Sequence, residues 1–293
     1  MKKLLFTTIL LCFCVAAAYA ANERTGTASF SFLKLQSSVR AAALGNTFVA
    51  IADDPSAAIL NPAGLTQIES RSLQIAYNSW LIGSGYSNGI YALPLGKYGA
   101  VGGSITYLNF GDIAETSRLL PGGTGRNFGS SGTMYVLSYG YELNPSLSLG
   151  MAIKSIQQNI DQSTETAMAY DAGFIWDSPA NIKFGGAVQN IGNALPTKTA
   201  LGLSSKFLDN RLLLAGEASI PSDNSTVYHF GVEYQIVPFL TFRGGFKTRS
   251  EEKAGGNLSL GLGFDWNGFK VDYAYIPYEA LGDTHKVGLR FRF

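Results

Sequence analysis

The chain has 293 residues, a formal net charge of +1, only 15% charged residues, 34 Gly, and 33 Tyr and Phe together (15 and 18). Charged residues in soluble domains usually make up about 25%, and near-neutrality excludes a partner recognised by bulk charge, nucleic acid above all. Both cysteines, Cys12 and Cys14, fall in a segment expected to be removed, so disulfides, thiol catalysis and Cys-ligated metals are not expected in the remaining chain.

Residues 1–20 read as a signal peptide. Lys2 and Lys3 precede an apolar run from Leu4 to Val15, and Ala18-Tyr19-Ala20 forms a small-x-small cleavage site. No later apolar run is long enough for a membrane helix. Residues 21–70 form a second unit, unlike everything downstream. From Arg40 to Leu65 it is rich in Ala and broken by Gly and Pro. A short helix is expected over 36–51. Asp53 or Asp54 is placed to cap a second helical turn, because Pro55 suits a first helical position. Asn61-Pro62 should end that turn, followed by Ala63, and Gly64 allows the chain to bend toward the first strand. On this reading the two aspartates are caps, and no metal site is expected.

Residues 71–293 alternate apolar and polar positions in blocks of about ten, the period of a half-buried strand. The blocks are 71–79, 85–95, 98–108, 131–142, 146–158, 167–177, 181–190, 197–206, 211–220, 226–236, 239–248, 256–266, 268–277 and 284–293. Short connections alternate with mostly longer ones. Fourteen antiparallel strands with both termini in the periplasm require six short turns and seven outer loops, which is the tally found. The expected fold is therefore all-β, a 14-stranded transmembrane β-barrel in the cell outer membrane with the 21–70 segment as its plug. Outer-membrane lipid and lipopolysaccharide are its expected surroundings.

Faces follow from the alternation. In the last strand Val287, Leu289, Phe291 and Phe293 point one way, and Lys286, Gly288, Arg290 and Arg292 the other. The inward faces carry Gly150, Gly185, Gly231, Gly245, Gly261, Gly263 and Gly288. Repeated strand glycine marks close approach of another backbone, as a plug would need; a wet lumen is the alternative. Inward charges of both signs (Lys154, Lys183, Arg243, Lys247 and Arg290 against Glu217, Glu233, Asp265 and Asp272) could pair with each other or with the plug. The pairs Gly102-Gly103, Gly185-Gly186 and Gly244-Gly245 are candidate wall distortions. Phe291 and the terminal Phe293 resemble a C-terminal signal read by the outer-membrane assembly machinery.

The segment 109–130 is the longest expected loop. Its apolar Ile113, Leu119, Leu120 and Phe128 make it a candidate lid or partner surface, with a simple variable surface loop as the alternative. Catalytic chemistry is not expected. His229 and His285 are far apart, no G-x-S-x-G elbow is present, and Gly-Gly-Thr-Gly at 122–125 lacks the Lys-Ser/Thr of a phosphate loop. No cofactor is implied.

One string is specific enough to carry a resemblance. Gly26-Thr27, Phe32 to Leu35, Arg40 to Gly45, Phe48, Ala50, Ala52 to Asp54, Ser56-Ala57 and Asn61 to Leu65 resemble the N-terminal region of the PorV/PorQ family, and the Asn-Pro-Ala element is similar to one in FadL-like barrels. The resemblance implies a FadL-like barrel with an N-terminal hatch formed around Arg40, Gly45, Asp53, Asp54, Pro55, Asn61, Pro62, Ala63 and Gly64. It further implies a non-enzymatic role in type IX-like secretion, with a translocon or secreted cargo as partner. The alternative from the wider group is passive transport of hydrophobic small molecules. A structural barrel is the third reading.

Overall fold

The computed structural model describes residues 27–80, 83–248, 256–278 and 282–293; the expected signal peptide lies outside them. The strands are β1 (Ser72–Ser79), β2 (Gly85–Pro94), β3 (Ala100–Ala114), β4 (Asn127–Asn144), β5 (Leu147–Ile160), β6 (Ser163–Asp177) and β7 (Ile182–Ile191), then β8 (Lys198–Phe207), β9 (Leu212–Pro221), β10 (Val227–Val237), β11 (Leu240–Lys247), β12 (Leu258–Trp266), β13 (Phe269–Pro277) and β14 (Asp283–Arg292). Each pairs antiparallel with its sequence neighbours, and β1 pairs with β14, from Ser72 opposite Arg292 to Ser79 opposite His285. The sheet therefore closes into a barrel with no free edge, which the bilayer interior demands of any β structure.

Turn chemistry fixes the short end. Between β12 and β13 only Asn267 and Gly268 intervene, both in the left-handed region (φ 47° and 86°). That is the geometry a two-residue hairpin needs to match strand twist. Between β8 and β9, Leu208, Asp209 and Asn210 all have positive φ.

The expected loop 109–130 is sheet at both ends, over 109–114 and 127–130. A bulge between Asn109 and Asp112 is followed by renewed pairing of Asp112 with Gly129, Ile113 with Phe128, and Ala114 with Asn127. β5 and β6 likewise continue to Ile160 opposite Ser163. The wall is consequently taller over β3 to β6. These extensions lie past the apolar belt, where both faces can be polar, so they lack the alternation that marked the strands below.

Outside, the wall presents apolar side chains to its surroundings. Ile75, Leu137, Met151 and Leu260 are 49%, 59%, 65% and 61% exposed. Toward the short-turn end aromatic pairs ring the barrel: Trp176 with Phe184, Phe239 with Phe264, Phe269 with Phe291, and Tyr91 with Phe293. Such an exterior is stable in hydrocarbon bounded by aromatic girdles.

Inside, residues 30–68 fill the lumen. A 3-10 turn at Ser31–Lys34 leads to α1 (Val39–Ala43), α2 (Ala57–Leu60) and a second 3-10 turn at Pro62–Gln67. The helix expected over 36–51 is thus only five residues long. The Ser38 hydroxyl accepts from the Ala41 N–H at its start. Gly45 and Asn46, at φ 66° and 71°, end it. Ala41, Ala43, Leu44, Ala52, Ala57, Ala58, Ala63 and Leu65 are all fully buried. Small side chains let this much backbone fit within one barrel.

Candidate functional site

The plug rests on the wall glycines. A Cβ built on Gly245 would lie 1.9 Å from the Gly45 nitrogen, on Gly150 2.1 Å from that of Ala63, and on Gly185 2.3 Å from the Val49 oxygen. Gly231, Gly261 and Gly288 face Leu44, Ala43 and Val39 in the same way. The inward glycines mark plug contact, and Gly263 instead makes room for the Arg243 guanidinium. Sheet register runs unbroken through Gly102-Gly103, Gly185-Gly186 and Gly244-Gly245, so these pairs do not distort the wall. The inward members sit on the plug. A register shift does occur between Tyr170 and Ala172 of β6, opposite β7.

Polar contacts lock this packing. Arg40, on α1, donates through Nε and Nη2 to the two oxygens of Glu233 on β10, at 2.7 and 2.8 Å. Its Nη1 donates to Asp53 and reaches Asp54 Oδ2 at 3.4 Å. Arg243 on β11 donates to the same Glu233 at 2.6 Å and to Asp272 at 2.7 Å. The chain of charges therefore runs from plug to wall, with both guanidinium groups removed from solvent. Burial alone would raise the Asp53 carboxyl, but Arg40 and Lys206 outweigh it and hold it below the usual carboxylate range.

The two aspartates divide their roles. Asp54 accepts from the Ser56 N–H at 3.0 Å and from the Ser56 hydroxyl, at the entrance to α2 where Pro55 sits. Asp53 caps no helix; it is an ion-pair partner. Among the described residues no group of His, Cys, Asp and Glu could hold a metal ion. Asn61, fully buried, donates to Val49 O at 2.7 Å and Phe174 O at 3.1 Å, and accepts from the Ala63 N–H at 3.3 Å. Pro62 and Ala63 follow it against β5. Gly64 is not in a left-handed turn. A side chain there would strike Ala52 O at 2.1 Å, so its role is close packing within the plug.

Two further anchors come from inward-facing wall residues. Glu217 of β9 accepts from the Phe48 and Val49 N–H groups at 2.8 and 2.9 Å. The Nδ1–H of His229 donates to Gly45 O at 2.7 Å. Both residues stand out only as polar positions on an inward face, and nothing in the chain marks which backbone they meet. Ile113 and Phe128 oppose each other in the β3–β4 extension, while Leu119 at the hairpin tip is 89% exposed. Phe291 and Phe293 lie on the outer face at the short-turn end.

Of the spaces beside the plug, two lie at its opposite ends. The one at the long-loop end has a volume of about 230 Å³; the plug lends it the apolar Phe32, Leu33, Leu35, Ile59 and Leu60 and the polar Lys34, Gln36, Ser37 and Asn46, and the wall adds charged residues including Lys154, Lys198 and Asp223. The one at the short-turn end, about 430 Å³, is charged and includes Arg40, Asp53 and Glu233. The outer space is smaller than the roughly 300–1,000 Å³ of drug-sized ligand pockets, yet larger than a roughly 150 Å³ cavity that holds benzene.

No family model matches the sequence, and no curated protein does. Solved structures do. A Pseudomonas aeruginosa FadL homologue aligns at TM-score 0.63 and 14% identity, over 88% of this chain and 98% of that one. The Ralstonia pickettii toluene transporter TbuX aligns at 0.67 and 16%, over 87% and 97%. The CymD monoaromatic hydrocarbon channel aligns at 0.64 and 13%, again over 87% and 97%. At these identities the likeness is one of fold, and none of these matches bears on the PorV/PorQ resemblance. The closed barrel of fourteen strands with an apolar exterior and a plugged lumen thus has the fold of a FadL homologue and of hydrocarbon channels.

Proposed function

We propose that the chain is a passive outer-membrane conduit for small hydrophobic molecules, which first bind in the outer space above the plug. The observation that carries this reading is the floor of that space: five apolar plug residues, Phe32, Leu33, Leu35, Ile59 and Leu60, at the outward-facing end of an otherwise packed lumen. Apolar surface in a concave site favours an apolar ligand by about 25 cal/mol for each Å² removed from water. The volume suits a single ring. Fold likeness to proteins described as a toluene transporter and a monoaromatic hydrocarbon channel supports the same substrate class.

The secretion role implied by the PorV/PorQ resemblance has less support. Its string from Arg40 to Leu65 is accounted for by packing and ion pairing inside the barrel, which a plug needs whatever the barrel does. Lipid and lipopolysaccharide around the outer belt, and assembly machinery reading Phe291 and Phe293, belong to the same proposal.

Uptake of labelled toluene by cells producing the barrel should exceed that of cells lacking it. Leu33→Asp places a charge on the cavity floor, where Leu33 is only partly buried, and should lower the excess by about tenfold with little change in thermal stability. Uptake equal to that of cells without the barrel would sink the proposal.

A further inference from the structure

On the opposite side of the plug, at the short-turn end, two cations are set against each other. Lys270 of β13 lies directly across from Arg290 of β14, and both line the lower space. Like charges opposite one another on neighbouring strands are destabilising. Nearby carboxylates relieve the pair only in part: Glu69 lines the same space, but the others near the two cations are engaged elsewhere. Asp265, across from Lys270 on β12, is held by Arg292 at 3.1 and 3.2 Å. Glu233 is shared by Arg40 and Arg243, and Asp272 is taken by Arg243 at 2.7 Å. Asp54 turns one oxygen to Ser56; its other oxygen is shared by Arg40 at 3.4 Å and makes a long ion pair, 4.0 Å, with Arg290 Nη1.

The consequence is unused donor capacity. Lys270 makes no hydrogen bond and no ion pair within 4 Å among the described residues. Arg290 Nε is buried with no hydrogen-bond partner. A buried donor left unmade costs more than an average hydrogen bond contributes. The arrangement is relieved by an oxygen-rich anion bridging an ammonium and a guanidinium edge, the geometry in which arginine binds phosphate and carboxylate most strongly.

We propose that Lys270 and Arg290 form an oxyanion-binding site on the periplasmic side of the plug. The site takes a phosphate- or carboxylate-bearing ligand and is independent of the transport reading, which concerns the other side. Arg40, the plug residue bound to Glu233, lines the same space, so the bound anion sits beside the connection between plug and wall.

The test is calorimetric titration and thermal unfolding of the full chain in detergent, with phosphate, acetate and chloride at matched ionic strength. Phosphate should bind saturably and raise Tm with concentration, whereas chloride should not. Acetate matching phosphate would assign the site to carboxylates, and weaker acetate binding to phosphate groups; either result supports an oxyanion site. Lys270→Gln and Arg290→Gln should each weaken binding about tenfold. Lys270→Gln should also unfold at a higher temperature than the native chain in the absence of oxyanion, since it removes a like-charge neighbour. Equal stabilisation by chloride, unchanged phosphate affinity in Lys270→Gln, or a lower anion-free Tm for that variant would each overturn the proposal.

Discussion

Replacing Gly245 by valine is expected to unseat the plug while leaving the barrel wall closed. The new Cβ would lie 1.9 Å from the Gly45 nitrogen, 2.3 Å from the Leu44 carbonyl carbon and 2.5 Å from the Gly45 Cα. All three are backbone atoms, so no rotamer change relieves the overlap. Overpacked side chains usually cost about 1–3 kcal/mol; a backbone clash should reach the top of that range or pass it. The neighbouring Gly244 supplies the control. It has nothing within 4 Å of its would-be Cβ, and valine suits an outward strand position. Gly244→Val should therefore unfold near the native temperature, and Gly245→Val well below it. Similar midpoints for the two variants would show that the plug does not bear on that face.

Arg40→Ala should be nearly as damaging for a different reason. It leaves Asp53 without its main cation and Glu233 with one guanidinium in place of two. Removing one member of a buried ion pair costs about 3–5 kcal/mol, because the partner stays charged and poorly solvated. Arg40→Lys should recover only part of this, since an ammonium cannot reproduce the fork that spans Glu233 and Asp53. Adding Glu233→Gln to Arg40→Ala should restore some stability, a coupling that a double-mutant cycle measures directly. Acid adds a second signature. The folded-state carboxyl of Asp53 is depressed, so its stabilisation is full above the ordinary carboxylate pKa and is lost as the pH falls through the depressed value. Arg40→Ala should flatten that acid limb. A loss below about 0.5 kcal/mol, with an unchanged acid limb, would contradict the ion-pair account.

Much of this fold was legible because a lipid-facing barrel wall imposes one rule at every position. Each strand between apolar surroundings and a packed lumen must alternate, and Val287, Leu289 and Phe291 against Lys286, Gly288 and Arg290 do so visibly. The rule lapses where the wall rises clear of the belt, which is why Asp112, Ile113 and Phe128 read as loop although they are paired. Inward glycines signalled that a backbone approaches, and Gly150, Gly185 and Gly245 meet one. Which backbone they meet was hidden. The partners of Arg40 and Glu217 lie 193 and 168 or 169 residues away in the chain, and only closure of the barrel brings them together. Asp53 illustrates the limit of local reasoning: its position before Pro55 fits a cap, but the long-range pull of Arg40 decides its role.

Ion conductance across planar bilayers tests most directly whether residues 30–68 close this barrel. The native chain should hold the bilayer near its baseline conductance, because plug backbone and the Arg40–Glu233–Arg243 cluster occupy the lumen. A chain lacking residues 27–68 but retaining all fourteen strands should open a steady, ohmic pore. Equal conductance of the two chains would contradict the plugged-barrel account.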